Sequence, residues 1–270
     1  MKIKAMPNTK TYKGVSIYYE CKGSGTSLVL ISGTGHDLNF WSAQLPHFSP
    51  EFQTITFDNR GVGKSSTPKI GYSLADMASD IIHLLDELKI DKAHIMGFSM
   101  GGHIAQELAI NYPDRIISLG IHHSWARAGA RLKSFQETRL YLAQNNQREA
   151  LTELSMLALH SSAYYDEHPL EMRNHREFLL HKSPLNDGWV GQLSACIKGD
   201  TLDRINKIKV PTLITCSELD VIAPPHLSLM IHNRIQESEL NVMKNTGHVA
   251  LMEAPEEFSS ICLNFLKKLG

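Results

Sequence analysis

The sequence has few cysteines for its length. The four among 270 residues, Cys21, Cys196, Cys216 and Cys262, are too few for a disulfide framework and too widely spaced for a C-x-x-C metal or redox pair. We expect them to be buried thiols in a reducing compartment, which predicts a cytoplasmic protein.

An excess of charge of one sign and long apolar runs are absent as well. Twenty-seven Lys and Arg residues stand against 28 Asp and Glu residues, so the net charge is −1 and no basic field is available to bind nucleic acid or anionic lipid. No run of about 18 apolar residues occurs, and the N-terminal stretch MKIKAMPNTKTYKG has no apolar segment like that of a secretion signal. We therefore expect neither nucleic acid nor a membrane as partner. With 42% hydrophobic residues the chain can bury a sizeable core.

What the sequence does contain is an alternation of short β-rich segments with longer helical ones. A helix is predicted over 73–88, since Ser73 stands at its N-terminus and the apolar residues recur at helical spacing. A strand over 15–21 is expected at an edge, where it can run antiparallel. Six other strands, separated by enough residues for crossover helices, predict a mostly parallel sheet: 28–32, 53–57, 93–97, 116–122, 210–216 and 239–243.

The strand signal stops between residues 125 and 200. This stretch has helical spacing and is interrupted at His168-Pro169 and Ser183-Pro184, which predicts about four helices. We expect a core formed by 1–124 and 201–270, with 125–200 lying over one end of the sheet as a lid. A separate small helical domain is the alternative.

The segment Gly97-Phe98-Ser99-Met100-Gly101 fits the G-x-S-x-G pattern of a nucleophile elbow. It follows an apolar strand and opens a predicted helix, and small neighbours allow such a strand and helix to approach closely. A serine hydroxyl is a weak nucleophile unless a base lies beside it. Ser99 is therefore the candidate nucleophile, and a histidine and an acid should be found near it.

Two later segments supply these partners in the order acid, then histidine. Asp220 follows one predicted strand and His248 the next, so both belong to the same edge of the sheet as Ser99. Glu218 is a second candidate for the acid. The alternatives without catalysis are that Asp220 caps the helix near Pro224 and that His248 is an ordinary core or surface residue.

With these residues the chain resembles the α/β-hydrolase fold family over almost its whole length. Three further segments carry the resemblance: ISGTG at 31–35, DNRGVGKS at 58–65 and VPTL at 210–213. The resemblance implies a mostly parallel, eight-stranded sheet flanked by helices, with a helical lid insertion. It also implies an oxyanion hole formed by the backbone N–H groups of Thr34 and Met100. The chain departs from the family in having Ser32-Gly33 where His-Gly is frequent.

Aromatic residues supply candidate walls for a substrate pocket, and the histidines raise the question of a metal site. Phe98, Trp41, Trp125 and Trp189 are candidate walls of an apolar pocket under the lid, although plain packing is the alternative for the tryptophans. No H-E-x-x-H motif occurs among the 14 histidines, so no metal is expected. The expected chemistry needs no cofactor.

The leading functional hypothesis is hydrolysis of a carboxylic ester or lactone of a small, largely apolar molecule through an acyl-enzyme. The stretches TGHDLNFW at 34–41 and GFSMGG at 97–102 are similar to those of 3-oxoadipate enol-lactonases. Carbon–carbon bond hydrolases and cofactor-free haloperoxidases or perhydrolases share the same three residues. A ligand receptor on a hydrolase scaffold is the alternative of another class. The sequence leaves the substrate and the oligomeric state open.

Overall fold

A central β-sheet organises the fold. The computed structural model describes residues 8–9, 12–182, 185 and 187–269. In these residues the sheet has seven strands: β1 (Tyr19–Lys22), β2 (Ser27–Ile31), β3 (Gln53–Phe57), β4 (Ala93–Phe98), β5 (Ile116–His122), β6 (Thr212–Ser217) and β7 (Ser238–Met243). Their spatial order is β1-β3-β2-β4-β5-β6-β7. Strand β1 lies at one edge and runs antiparallel to β3, and every other neighbouring pair is parallel.

Helices flank this sheet and fill the connections between its strands. They are α1 (Leu45–Phe48), α2 (Leu74–Glu87), α3 (Met100–Asn111), α4 (Ala130–Gln144), α5 (Arg148–Leu159), α6 (Ser162–Glu167), α7 (Pro169–Glu177), α8 (Asp187–Lys198), α9 (Pro225–His232), α10 (Ala250–Glu253) and α11 (Pro255–Lys267). Short 3-10 turns occur at Leu38–Trp41, Pro113–Arg115 and Ile205–Lys207, and a π-helical turn at Phe178–Lys182.

Burial explains why the apolar segments form the inner strands. Every residue of β2, β4 and β6 is buried, as expected for parallel strands covered on both faces. Helix α2 shows the predicted single buried face and begins with a capping box, in which Ser73 Oγ accepts from Asp76 N–H and the Asp76 carboxylate accepts from Ser73 N–H. The mostly parallel α/β architecture is thereby confirmed.

The N-terminal part of the sheet differs from expectation. The strand predicted over 15–21 begins only at Tyr19, because Ser16 N–H donates to Ser66 Oγ at 3.0 Å and Tyr18 N–H donates to Ser65 Oγ at 2.8 Å. These side-chain bonds replace the ladder of a strand. The eighth strand implied by the family resemblance is not found among the described residues.

The connection from β5 to β6 carries helices α4 to α8, here called the helical insertion. Its described residues form five α-helices and the π-helical turn, where about four helices were expected. Its two ends meet at Arg127 and Asp200, which form an isolated antiparallel bridge and an ion pair with Nε and Oδ2 2.5 Å apart. The insertion therefore leaves and rejoins the core at one place.

Cys196, Cys216 and Cys262 are buried free thiols, whereas Cys21 on the edge strand is only partly buried. Among the described residues, no helix combines the length and the apolar character needed to cross a bilayer.

Candidate active site

Ser99 lies at the sharp turn between β4 and α3. Its backbone has φ 54° and ψ −115°, a left-handed conformation that is costly for a residue with a side chain and typical of nucleophile elbows. Ser99 N–H donates to the carbonyl of His122 at 2.8 Å, and its own carbonyl accepts from Ser124 Oγ at 2.7 Å. The neighbouring strand and the loop after it therefore hold the strained turn in place.

Two glycines make this turn possible by allowing close backbone contacts. A Cβ at Gly97 would lie 2.1 Å from the carbonyl oxygen of Gly101, and a Cβ at Gly101 would lie 2.2 Å from that of Ile31. Real Cβ atoms do not approach backbone this closely, so any side chain would push α3 away from the sheet. The two glycines of the motif serve the strand-to-helix contact, as the sequence pattern predicts.

The structure brings Ser99, His248 and Asp220 together from three different loops. His248 Nε2 lies 3.0 Å from Ser99 Oγ, and His248 Nδ1 lies 2.7 Å from Asp220 Oδ2. Asp220 follows β6 and His248 follows β7, so each lies beyond the carboxyl end of a parallel strand. Ser99 retains 8% of its surface, whereas Asp220 and His248 retain only 3% and 2%.

Asp220 is held as an acceptor. Burial alone would raise its pKa, but the interactions with His248 and His123 and the hydrogen bond from Ala223 N–H together keep the pKa below its usual value. Asp220 Oδ1 also accepts from the N–H groups of Ile222 and Ala223, both at 2.8 Å. A carboxylate with these partners fixes the imidazole with Nδ1 protonated and leaves Nε2 to accept a proton.

The other candidate acid lies elsewhere. Glu218 is exposed, and its carboxylate accepts from Asn245 N–H at 3.4 Å instead of reaching His248. Its position directly after β6 points it away from the imidazole. Of the two candidate acids, only Asp220 contacts His248.

The two backbone groups expected to form an oxyanion hole flank Ser99. Thr34 follows β2 and lines the same cleft as Ser99, and Met100 is the first residue of α3. The first N–H groups of a helix have no partner within it and carry the positive end of its dipole. In the described part of the chain, no other backbone group accepts a hydrogen bond from Thr34 N–H.

Gln192 of α8 positions the Thr34 loop, and sequence reasoning missed it. Its buried amide accepts from Gly35 N–H at 2.9 Å and donates to the Arg60 carbonyl at 2.8 Å. The helical insertion therefore supports the loop that carries Thr34. The one signal in the sequence is a glutamine within the apolar segment of a helix.

Glu253 of α10 links the insertion to the loop that carries His248. Its carboxylate accepts from Ser161 N–H at 2.9 Å, from Ser161 Oγ at 2.8 Å and from Gly247 N–H at 3.0 Å. Burial alone would raise the pKa of Glu253, but the interaction with His160 and these hydrogen bonds keep it below its usual value. Glu253 therefore acts as a charged tether between two parts of the site.

A narrow cleft lies between the sheet edge and the insertion, directly over Ser99. Phe98 and Trp189, two of the expected wall residues, line it. The expectation is wrong for Trp41 and Trp125, which are fully buried in the core and do not line this cleft. Trp41 packs against Phe40 and α11, and Trp125 packs against α3. Both side chains therefore pack in the core beneath the site.

The DNRGVGKS turn has a structural role in this arrangement. Asp58 accepts from Leu38 N–H at 2.9 Å and from Lys64 N–H at 2.8 Å, which closes the turn. Arg60 forms two hydrogen bonds of 2.6 Å with the buried Asp80 of α2. The turn thus joins the loop after β2 to α2.

Across residues 8–9, 12–182, 185 and 187–269, no three His, Cys, Asp or Glu side chains are grouped so that they could hold a metal ion.

Comparison with known proteins places this geometry in a family. A family model described as the α/β-hydrolase fold matches residues 26–255, most of the chain. The chain belongs to this family. The resemblance noted from the motifs is thereby confirmed, and the protein is a hydrolase of the α/β type.

Relatives of this α/β hydrolase differ in the reactions that they are named for. RutD of Azorhizobium caulinodans, named as a candidate carbamate hydrolase, is 27% identical over 92% of this chain and 94% of its own. The crystal structure of the enol-lactonase from Burkholderia xenovorans LB400 is similar with a TM-score of 0.90 and 25% identity, over 97% of this chain and 100% of that one. A malate-bound thermophilic esterase from Thermogutta terrifontis has a TM-score of 0.87 and 27% identity, over 100% and 98% of the two chains.

Proposed function

We propose that the protein is a serine hydrolase that cleaves a carboxylic ester or lactone through an acyl-enzyme. The observation that carries the proposal is the continuous hydrogen-bonded line from Asp220 through His248 to Ser99 at a strained elbow. Many hydrolases on unrelated folds use this arrangement to activate a hydroxyl group.

The geometry supports the following sequence of steps. Ser99 Oγ attacks the carbonyl carbon while His248 Nε2 takes its proton, and Asp220 stabilises the imidazolium that forms. The C–O bond of the ester then breaks, and His248 returns the proton to the leaving alcohol. In the second half His248 takes a proton from water, the hydroxide attacks the acyl group, and Ser99 recovers its proton as the acid is released.

In this proposal the negative charge on the carbonyl oxygen is held by the N–H groups of Thr34 and Met100. An oxyanion donor of this kind typically lowers the barrier by roughly 3 to 4 kcal/mol. Because both donors belong to the backbone, the Ser32-Gly33 departure from the family pattern leaves them in place. The helical insertion would act as a lid that excludes water from the reaction.

The substrate class follows from the cleft. Its walls include Leu151, Leu159, Leu179, Ile222 and Trp189, so the body of the substrate should be small and largely apolar. The similarity to an enol-lactonase with a TM-score of 0.90 is consistent with a cyclic ester.

Carbamate cleavage is the second candidate. Relatives named for this reaction are 26–27% identical over at least nine-tenths of the chain. A carbamate carbonyl can be attacked by the same serine, and the intermediate is then a carbamoyl-enzyme.

Labelling with a fluorophosphonate probe and hydrolysis of p-nitrophenyl butyrate test the proposal. Ser99→Ala should remove the labelling and lower kcat by at least about a thousandfold. The control is Ser134→Ala, an exposed serine on α4, which should label and turn over like the unmodified protein. Full activity of the Ser99→Ala protein would overturn the proposal.

Mass spectrometry of the trapped intermediate separates the two reaction classes. The protein is mixed with an acyl ester, a lactone or a carbamate, each supplied alone, and the reaction is quenched rapidly. The peptide that contains Ser99 should then carry the corresponding acyl or carbamoyl mass. Comparison of kcat/KM across the panel then identifies the preferred class.

A further inference from the structure

Arg139 on α4 lines the cleft over Ser99 and has no acidic partner. Its Nε is buried and makes no hydrogen bond, and one terminal nitrogen donates to Gln136 Oε1 at 3.0 Å. None of the ion pairs in the described part of the chain includes it. By contrast, Arg60, whose side chain is buried, is paired with Asp80.

Aromatic rings hold the Arg139 guanidinium without satisfying its donors. The group lies 5.1 Å from the centre of the Trp189 ring and 5.5 Å from that of Phe135. Such contacts place the cation over the faces of the rings, which offer no lone pair to its N–H donors. Burial lowers the pKa of Arg139 to about 10, so the group stays charged at neutral pH.

Basic side chains line the cleft close to the reaction centre. No Asp or Glu is among the described residues that line the cleft, while Arg148 contributes a second positive charge and donates to the carbonyl of Leu180 at 3.1 Å. Burial and then the charge of Arg139 lower the pKa of His36 to about 4, and His36 Nδ1 lies 3.1 Å from the carbonyl oxygen of Thr34. The charge therefore acts beside the loop that would hold the oxyanion.

Arg139 is partly buried and its Nε is buried without an acceptor, which is unfavourable unless a ligand supplies the acceptor. We propose that the substrate carries a carboxylate in addition to the carbonyl that Ser99 attacks, and that Arg139 binds this carboxylate. The inference rests on the proposed function and narrows its substrate class to apolar molecules with an anionic end. A planar carboxylate matches the donor geometry of a guanidinium.

Paired substrates test the charge preference. Methyl half-esters of succinic, glutaric and adipic acid end in a carboxylate, and matched methyl esters end in an isopropyl group of similar shape. The unmodified protein should prefer at least one half-ester over its neutral match. Arg139→Met should lower kcat/KM for that half-ester by roughly 10- to 100-fold, mainly through KM, because a hydrogen-bonded charge is lost.

The neutral esters and a second variant supply the controls. Hydrolysis of the neutral esters by the Arg139→Met protein should fall clearly less than hydrolysis of the half-ester, because methionine keeps an apolar stem against Trp189 and Phe135 and no bound carboxylate is lost. Arg173→Met removes the same charge from an exposed position on α7 and should leave both substrate series unchanged. Equal losses on charged and neutral esters, or no loss on either, would overturn the assignment of Arg139.

Inhibition of the unmodified protein gives an independent measurement if Arg139→Met fails to fold. Adipate or glutarate should inhibit neutral ester hydrolysis competitively at much lower concentration than the corresponding diamides, and equal inhibition would contradict the inference. Serine-dependent hydrolysis without any preference for anions would overturn this inference alone. Hydrolysis that survives Ser99→Ala would overturn the proposed function instead.

Discussion

Lowering the pH from about 7.5 to about 5.5 should destabilise the fold strongly, because several histidines are buried in their neutral form. His122 and His123 are fully buried at the end of β5, His103 is buried in α3, and His175 is buried in α7. Burial is the largest cause in each case and lowers the pKa of His103 to about 4 and that of the other three to about 3.

The direction of the effect follows from the protons bound in each state. An unfolded histidine has a pKa near 6.5 and binds a proton below it, whereas these folded ones stay neutral down to pH 3–4. The unfolded state therefore binds more protons, so the stabilisation is fully present above about pH 6.5 and is lost as the pH falls towards the folded pKa. Below about pH 6.5, each buried histidine lowers the free energy of unfolding by about 1.4 kcal/mol per pH unit. From about pH 6.5 to 5.5 the four histidines together lower it by ~5 kcal/mol, which is comparable to the whole stability of an ordinary domain.

Urea unfolding followed by tryptophan fluorescence at a series of pH values measures this loss. His103→Leu should remove about one quarter of the pH dependence, since one of the four groups no longer titrates. The control is His181→Gln, whose side chain is 68% exposed, and its pH dependence should equal that of the unmodified protein. If the free energy of unfolding differs by less than about 1 kcal/mol between the two pH values, the reasoning is refuted, because a single such histidine should account for more than that.

Two further predictions concern the site and the turn beside it. Asp220→Asn should lower kcat by roughly 10⁴-fold with the fold intact, because the imidazole loses the acceptor that fixes its tautomer, and Glu218→Gln should leave ester kinetics unchanged. A similar loss in both variants would contradict the assignment of Asp220. Arg60→Met should lower the free energy of unfolding by roughly 3 to 5 kcal/mol, since the Asp80 carboxylate would be buried without its partner. Urea unfolding checks this value, and a loss under about 1 kcal/mol would show that Asp80 is solvated.

The sequence predicts the architecture well because its local signals agree with one another. The inner strands are apolar runs bounded by turns, and β3 and β5 match the predicted bounds residue for residue. Strand β6 begins at Thr212 instead of 210, since Pro211 has no N–H to donate to a neighbouring strand. The predicted order serine, acid, histidine corresponds to three side chains that meet in space, although their catalytic roles are still predictions.

The pocket walls and the residues that position the site depend on contacts between distant segments of the chain. A pattern within one segment does not predict such contacts. The sequence does not distinguish among the three tryptophans as candidate pocket walls. Of Trp41, Trp125 and Trp189, only Trp189 lines the cleft. Gln192 and Glu253 acquire their positions only when the insertion packs on the core. Neither residue belongs to a sequence motif, so its neighbours in the chain do not indicate a partner that lies 157 positions away for Gln192 and 92 positions away for Glu253.

The meeting of Arg127 and Asp200 at the base of the insertion has a consequence for how such enzymes can diversify. Because both ends of the insertion are joined at one point, a chimera could exchange these helices for those of another hydrolase without re-routing the core. Such a graft would also have to recreate the contacts of Glu253 with Ser161 and of Gln192 with Gly35. The transfer of substrate specificity between such enzymes is therefore limited less by the two ends of the insertion than by these polar contacts far from them.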